Sequence, residues 1–200
     1  DEYPLSLAKS LAVEFEKLGI EPLLYDNFPP GTSDFRALIT RLKGSGVKYI
    51  ALLSYQTEAG LFVKQQAELG LNPQMIITDT PVNNKEFFVT AGSSAEGTML
   101  TYIKVDSRHP ASLKYEDTHK RPVSLFAANG YDVVMIANLA LHHCGFRVEP
   151  ECLKQSLPRI QNYKGMGGLK SFDSLYGDMQ DEYEVLVARN GRFVAVDKGE

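Results

Sequence analysis

One carboxylate, Asp79, follows a short apolar run and could bind a cationic group. It comes directly after Met75-Ile76-Ile77-Thr78, and such a run is typical of a short buried strand. In open α/β sheets, ligands bind in the crevice outside the carboxyl ends of the strands. Asp79 is therefore placed to pair with a small cationic group. The alternative is that Asp79 is a helix cap or a surface acid ahead of Pro81.

No residue pattern indicates a catalytic site. An enzyme would need a nucleophile beside a base, a metal cluster, or two carboxylates that converge on a pocket. Asp79 could form a dyad with His109 or His119, but both histidines lie in a polar segment after the strands and no spacing brings them together. We therefore expect a protein that is not an enzyme and that needs no cofactor.

Two cysteines, Cys144 and Cys152, bracket a turn between two helical patterns. Their spacing is one that a disulfide could span, and two buried free thiols fit the sequence equally well. The adjacent His142 and His143 point to different sides of a helix, and no second pair of cysteines is near. We expect no metal site here.

The composition is that of an ordinary folded chain. Its 200 residues are 44% hydrophobic and 23% charged, which suits one large domain or two small lobes. A net charge of −4 disfavours nucleic acid or an anionic membrane as the main partner. No apolar stretch is long enough to cross a bilayer, and the first residues lack the pattern of a signal peptide.

Helix and strand patterns alternate through the first half of the chain. Apolar spacing predicts helices at about 5–18, 35–42, 58–69 and 83–90, and apolar runs predict strands at 22–25, 47–53, 74–78 and 96–105. This alternation favours βαβ units in a doubly wound parallel sheet, an α/β fold of flavodoxin-like topology. A nucleotide site is disfavoured because the sequence has neither a Gly-x-Gly-x-x-Gly nor a Walker-type loop.

The second half has a different character. A polar stretch at 106–121 precedes a helix at about 123–143 that has almost no polar face and should be buried on most sides. Asp132, inside this helix, is interpreted as a paired structural acid. The remaining predictions are a helix at 149–157, a flexible loop at 165–168, and a β-hairpin whose strands 184–188 and 192–196 flank Asn190-Gly191.

Several short motifs occur in a characteristic order along the chain. They are Asp1-Glu2-Tyr3, Ser33-Asp34-Phe35-Arg36-Ala37-Leu38-Ile39, Gln65-Gln66-Ala67-Glu68-Leu69-Gly70-Leu71, Ala91-Gly92-Ser93-Ser94-Ala95-Glu96-Gly97, Gly130-Tyr131-Asp132, Gly165, Phe172-Asp173 and Asn190-Gly191. In order and spacing they resemble the branched-chain-amino-acid-binding family of periplasmic solute receptors, the type I substrate-binding proteins of ABC transporters. The resemblance spans nearly the whole chain.

The resemblance implies a two-lobed clamshell that closes on a small ligand. Residues 1–104 would form the second, ligand-binding lobe, 105–165 would be helices of a first lobe whose sheet is missing, and 166–200 would return to the second lobe with the hairpin. The helix at 123–143 would then expose a large apolar surface in isolation. We expect a partner chain or a swapped element to cover it, as in a homo-oligomer or swapped dimer.

The resemblance also implies three ligand-binding residues, Tyr3, Tyr55 and Asp79. Asp79 would meet the α-amino group of the ligand, and the two tyrosines would wall the pocket and offer cation–π contact. The acid is often glutamate in this family, and aspartate is shorter. Without the resemblance, both tyrosines could be surface aromatics.

The function implied is that of a receptor that captures a small molecule, most readily an amino acid, and delivers it to the membrane permease of an ABC transporter. The implied location is periplasmic or extracellular. Because the first lobe would hold the ligand's carboxylate, we expect weak binding without it. Two alternatives remain open: a sensory domain of a signalling receptor, and a receptor for an aromatic or short-chain acid without an amine.

Overall fold

The computed structural model describes residues 2–80, 82, 85–173 and 178–196. The α-helices within these residues are α1 (Glu2–Lys17), α2 (Arg36–Ser45), α3 (Gln56–Glu68), α4 (Glu86–Ala91), α5 (Pro110–His119), α6 (Leu125–His143) and α7 (Pro150–Ser156). Single 3₁₀ segments lie at Gly92–Ala95 and Leu157–Arg159. In the part of the chain so described, every helix is too short or too polar to cross a lipid bilayer.

The strands form two sheets. They are β1 (Tyr49–Leu52), β2 (Gln74–Ile77), β3 (Met99–Ile103), β4 (Tyr163–Gly165), β5 (Gly168–Phe172), β6 (Met179–Asp181), β7 (Tyr183–Arg189) and β8 (Arg192–Ala195). The larger sheet has the order β1-β2-β3-β7-β8, with β1, β2 and β3 parallel and β7 antiparallel to β8. The smaller sheet, β4-β5-β6, is antiparallel.

The chain divides into two compact units. Unit 1 comprises Asp1–Thr101 and Val185–Glu200, and unit 2 comprises Tyr102–Glu184. The chain therefore passes from unit 1 to unit 2 along β3 and returns along β7. Each unit has a core of its own.

The core of unit 1 forms between the parallel strands and the helices that connect them. β1 and β2 alternate between exposed and buried positions, so one face of each strand packs inward. Phe35 and Phe62, which are fully buried, meet edge to face at 5.5 Å between ring centroids. Gly60 lets α3 approach α4 closely, because a Cβ there would lie 2.9 Å from the Cβ of Thr90.

The predicted α/β fold is confirmed, and one predicted strand is wrong. Residues 22–25 form no strand, and Leu23 and Tyr25 are 74% and 64% exposed. Their apolar pattern suits a strand, but a strand also needs a hydrogen-bonded neighbour and a face to bury. The helix predicted at 83–90 is observed at Glu86–Ala91, and 83 and 84 lie outside the described residues.

In unit 2, α6 is buried on one face only. Its buried residues recur at helical spacing: Leu125, Ala128, Asp132, Ile136 and Ala140. The prediction that this helix is buried on most sides is wrong for the described residues, because Phe126 is 80% exposed and Val133 and Val134 are exposed beside it. The expected apolar surface is therefore present, and the partner expected to cover it stays a prediction.

Four further features can be compared with the sequence patterns. The polar stretch at 106–121 contains α5, which begins at Pro110. His109 caps this helix, because its Nδ1 accepts a hydrogen bond from the Ala111 amide. The predicted flexible loop at 165–168 is instead a buried turn between β4 and β5. The Asn190-Gly191 hairpin is confirmed, and Cys144 and Cys152 form a disulfide.

Candidate ligand-binding site

Two of the predicted site residues lie at the carboxyl edge of the parallel sheet. Tyr55 follows β1 and precedes the first residue of α3, and Asp79 follows β2. β1 and β2 are paired in parallel with Leu52 opposite Ile77, so both strands end at the same edge. This register brings the residues after each strand to one crevice.

Tyr3 reaches the same edge from the first turn of α1. Its hydroxyl donates a hydrogen bond of 2.7 Å to Oδ1 of Asp79, across 76 residues of sequence. The rings of Tyr3 and Tyr55 lie 6.4 Å apart between centroids and are tilted by 33°. Tyr3 and Tyr55 are 39% and 36% exposed and Asp79 is half-buried, so all three side chains remain accessible to solvent. One carboxylate and two aromatic rings thus share one open face of unit 1.

Hydroxyl groups fix the loop that carries Asp79. Thr78 and Thr80 both donate hydrogen bonds to the carbonyl of Ser54, which lies beyond the end of β1. The amide of Val82 donates to the carbonyl of Asp79 at 3.1 Å and closes a turn behind the carboxylate. Sequence reasoning missed these hydroxyls, although Ser54 and Thr78 follow their strands as directly as the predicted residues do.

Glu58 is engaged within the protein. It lies in the first turn of α3, where a negative charge suits the helix dipole, and its Oε1 accepts the Gly31 amide at 3.1 Å. This hydrogen bond attaches the loop that precedes α2 to the first turn of α3. Glu58 is therefore a first-turn helix acid whose carboxylate is engaged by the backbone.

The arrangement suits binding of a small cation more than catalysis. No group of three or more His, Cys, Asp or Glu side chains in the described ranges could hold a metal ion. The two histidines considered for a dyad make contacts of their own in α5, where the ring of His119 meets Tyr115. Oδ1 of Asp79 accepts a hydrogen bond from the Tyr3 hydroxyl, and its Oδ2 accepts none within the part of the chain that the structure describes.

Unit 2 holds a different carboxylate site that is fully enclosed. Asp132 is completely buried on α6, and its two oxygens accept the amides of Met166 and Gly167, each at 2.8 Å. Lys170 is 1% exposed, pairs with Asp181, and lies 3.9 Å from Asp132. The interpretation of Asp132 as a paired structural acid is confirmed.

The charge of Asp132 also affects the pKa of the neighbouring Tyr163. Burial raises the pKa of Tyr163 from 10.0 to about 12, and the negative charge of Asp132 adds to the shift. Both effects oppose formation of the phenolate. Tyr163 also packs against the apolar cluster of Ile136, Ala140 and Ile160.

The chain is similar to known proteins of one family along most of its length. A family model described as periplasmic binding protein matches residues 1–195. The chain is 28% identical over 146 residues to Leu/Ile/Val-binding protein homolog 3 of Brucella melitensis, covering 72% of this chain and 39% of the relative. It is 26% identical over 184 residues to the leucine-, isoleucine-, valine-, threonine- and alanine-binding protein of Pseudomonas aeruginosa, covering 90% and 48%. The chain thus spans less than half the length of these two relatives.

Solved structures have the same fold. A leucine-binding protein from Thermotoga maritima matches with a TM-score of 0.80 at 21% identity, covering 98% of this chain and 57% of that one. A branched-chain amino acid transporter substrate-binding protein from Streptococcus pneumoniae, solved with isoleucine, matches with a TM-score of 0.71 at 23% identity, with the same coverage. At these identities the likeness concerns the fold.

Proposed function

Because the chain belongs to the periplasmic binding protein family, we propose that it is the ligand-binding region of a receptor that captures an amino acid. The observation that carries the proposal is the grouping of Asp79, Tyr3 and Tyr55 at the carboxyl edge of the sheet. The names of the Brucella and Pseudomonas relatives support an amino acid as the ligand class.

In this proposal Asp79 binds the α-ammonium group of the ligand. A charge-assisted hydrogen bond between ammonium and carboxylate is stronger than a neutral one, and it strengthens as closure excludes water. The Tyr3 hydroxyl holds Oδ1 of Asp79 at 2.7 Å, which limits rotation of the carboxylate and leaves Oδ2 for the ligand. Tyr3 and Tyr55 supply the aromatic walls that shape the pocket.

The family supports a proposal about the wider role. We propose that the receptor closes on its ligand and hands it to the permease of an ABC transporter, and that it works in the periplasm or outside the cell. The residue assignment 1–104 and 166–200 for the ligand-binding lobe, with 105–165 as helices of the other lobe, belongs to the same proposal.

The test removes the charge of Asp79. In a chain of the relatives' full length that contains these residues, Asp79→Asn should weaken amino-acid binding by about 2–5 kcal/mol, because the ammonium loses its counter-ion in a closed cleft. Isothermal titration calorimetry with a panel of amino acids measures the change. Asp34→Asn, an exposed acid in the same unit, is the control and should leave affinity unchanged.

The matching deaminated acids give a second comparison. If they bind the native protein as tightly as the amino acids, or if Asp79→Asn binds amino acids normally, amine recognition by Asp79 is wrong. Binding of the deaminated acids alone would identify a receptor for carboxylic acids without an amine.

A further inference from the structure

The paired part of β1 and β2 ends before the residues that are proposed to bind the ligand. The last paired residues of the two strands are Leu52 and Ile77. Tyr55 and Asp79 both lie beyond this pair, where the backbone ladder no longer joins the strands. The spacing of the aromatic wall and the carboxylate therefore depends on the contacts that hold the two chain segments together past the ladder.

A side-chain hydrogen bond makes this connection. The hydroxyl of Thr78, which directly precedes Asp79, donates to the carbonyl of Ser54, which directly precedes Tyr55. Thr78 and Ser54 are 4% and 3% exposed, so water has little access to compete for the hydrogen bond. The bond thus joins the two site-bearing segments immediately before their ligand-facing side chains.

Thr80 adds a second, weaker hydroxyl contact on the other side of Asp79. Its Oγ1 lies 3.4 Å from the Ser54 carbonyl and 3.2 Å from Oγ1 of Thr78. A hydroxyl hydrogen bond is usually shorter than 3.0 Å, and Thr80 is only half-buried. Because each hydroxyl has one proton, Thr78 can donate its own to Ser54 while Thr80 donates to Thr78 or to the same carbonyl. Thr78 is therefore the central member of the group.

We propose that Thr78 is a positioning residue for ligand binding, whose hydroxyl fixes the Asp79 carboxylate relative to Tyr55. This role rests on the proposed function, in which Asp79 binds the α-ammonium group of an amino acid. A carboxylate that is already held in place loses less conformational freedom when the ligand binds, so the fixed loop favours affinity. Thr78 acts through Asp79, since its own side chain is buried beneath the site.

The order of the loop is tested without a ligand on the 200-residue chain. Thr78→Val keeps the shape of the side chain and removes the hydroxyl, whereas Thr78→Ser keeps the hydroxyl. The Val82 amide donates to the Asp79 carbonyl at 3.1 Å, so its hydrogen exchange reports on the loop. Exchange measured by NMR should be about three- to tenfold faster in Thr78→Val, the scale of one buried neutral hydrogen bond, and close to native in Thr78→Ser. An unchanged rate in Thr78→Val would overturn the role of this hydroxyl.

Binding is measured by calorimetry in a chain of the relatives' full length that contains these residues. The probes are leucine, isoleucine, valine, threonine and alanine, the amino acids in the name of the Pseudomonas relative. Thr78→Val should weaken the binding of amino acids by about three- to tenfold, and Thr78→Ser should restore it. Ser112→Ala is the control, because it removes an equally buried hydroxyl that donates to the Asp106 carbonyl at 2.7 Å in unit 2, and it should leave affinity unchanged.

The Asp79→Asn variant separates a failure of this role from a failure of the proposed function. If Asp79→Asn loses affinity while Thr78→Val keeps it, the positioning role is wrong and the proposed function stands. If Asp79→Asn keeps affinity, both are wrong. If Thr78→Val and Ser112→Ala weaken binding equally, the loss reflects general destabilisation and overturns the positioning role.

The double variant tests whether Thr78 acts through Asp79. Adding Thr78→Val to Asp79→Asn should weaken binding by less than about twofold more, because the carboxylate that Thr78 positions has lost its charge. Full additivity of the two losses would show that Thr78 acts on binding by another route, and it would overturn the proposal.

Discussion

Asp79 in unit 1 and Asp132 in unit 2 are the same side chain in opposite surroundings. Asp132 is completely buried, accepts two backbone amides and lies beside the buried Lys170. Asp79 is half-buried at a strand end and accepts the hydroxyl of Tyr3. In the sequence, Asp79 follows an apolar run and Asp132 interrupts one. The difference in their exposure therefore comes from the groups that surround each carboxylate.

Asp132 is thus a structural carboxylate, whereas Asp79 is available to a ligand. The oxygens of Asp132 are directed at donors fixed by the turn between β4 and β5, and no solvent reaches them. A buried charge with a full set of partners stabilises one conformation, because losing a partner leaves a desolvated charge. Asp79 keeps contact with solvent, and exchange of water for a ligand's donor costs little there.

The same substitution at both positions should affect stability very differently. Asp132→Asn should lower the free energy of unfolding by about 3 kcal/mol, because one amide donor faces the Asn amide group and Lys170 loses a neighbouring charge. Asp79→Asn should change it by less than about 0.5 kcal/mol, as surface substitutions usually do. Denaturant unfolding of the two variants measures both values.

Equal losses of stability in the two variants would contradict the distinction. A further control is Asp117→Asn, since Asp117 is an exposed acid on α5 that pairs with Lys120 at the surface and should behave as Asp79 does.

Two glycines near Asp132 differ in the space that their backbone leaves for a side chain. A Cβ at Gly165 would fall inside contact distance of the Asp132 carboxylate, so Gly165→Ala should destabilise the protein by about 1–3 kcal/mol through overpacking. Gly130 lies two residues before Asp132 on α6 with open space around it, and Gly130→Ala should stabilise by about 0.5–1 kcal/mol through helix propensity. Denaturant midpoints should therefore move in opposite directions, and a tolerated Gly165→Ala would contradict the close approach.

The stability of the protein should depend on pH through Tyr163, which lies near Asp132. The pKa of Tyr163 is about 12 in the folded protein and near 10.0 when unperturbed, so between these values the folded state holds a proton that the unfolded chain has lost. Stability from this group is complete below about pH 10 and is lost as the pH rises toward about 12. Unfolding measured across this range should be less pH-dependent in Tyr163→Phe, and equal slopes in the two proteins would contradict the shift.

Local chemistry made some elements predictable. The hairpin could be predicted because the favoured two-residue turn needs positive φ at both positions, which Asn and Gly tolerate. Asn190 and Gly191 both adopt positive φ in the structure. The strands β1 and β2 were readable from continuous apolar runs, and the position of Asp79 followed from the end of β2. By contrast, residues 22–25 have a strand composition but no strand, since pairing depends on a neighbour that composition does not specify.

The amino-acid sequence alone determined the alternation of strands and helices, the α/β class, the family, and the carboxylate at the end of β2, because these depend on residues close together along the chain. Only the tertiary structure decided that the Tyr3 hydroxyl meets Asp79 across 76 residues and that residues 165–168 form a buried turn around Asp132. It also decided that the Gln66 side-chain oxygen is buried without a hydrogen-bond partner among the described residues. The physical reason is that burial and hydrogen-bond saturation are properties of the surroundings that distant segments create, and side-chain type does not encode them.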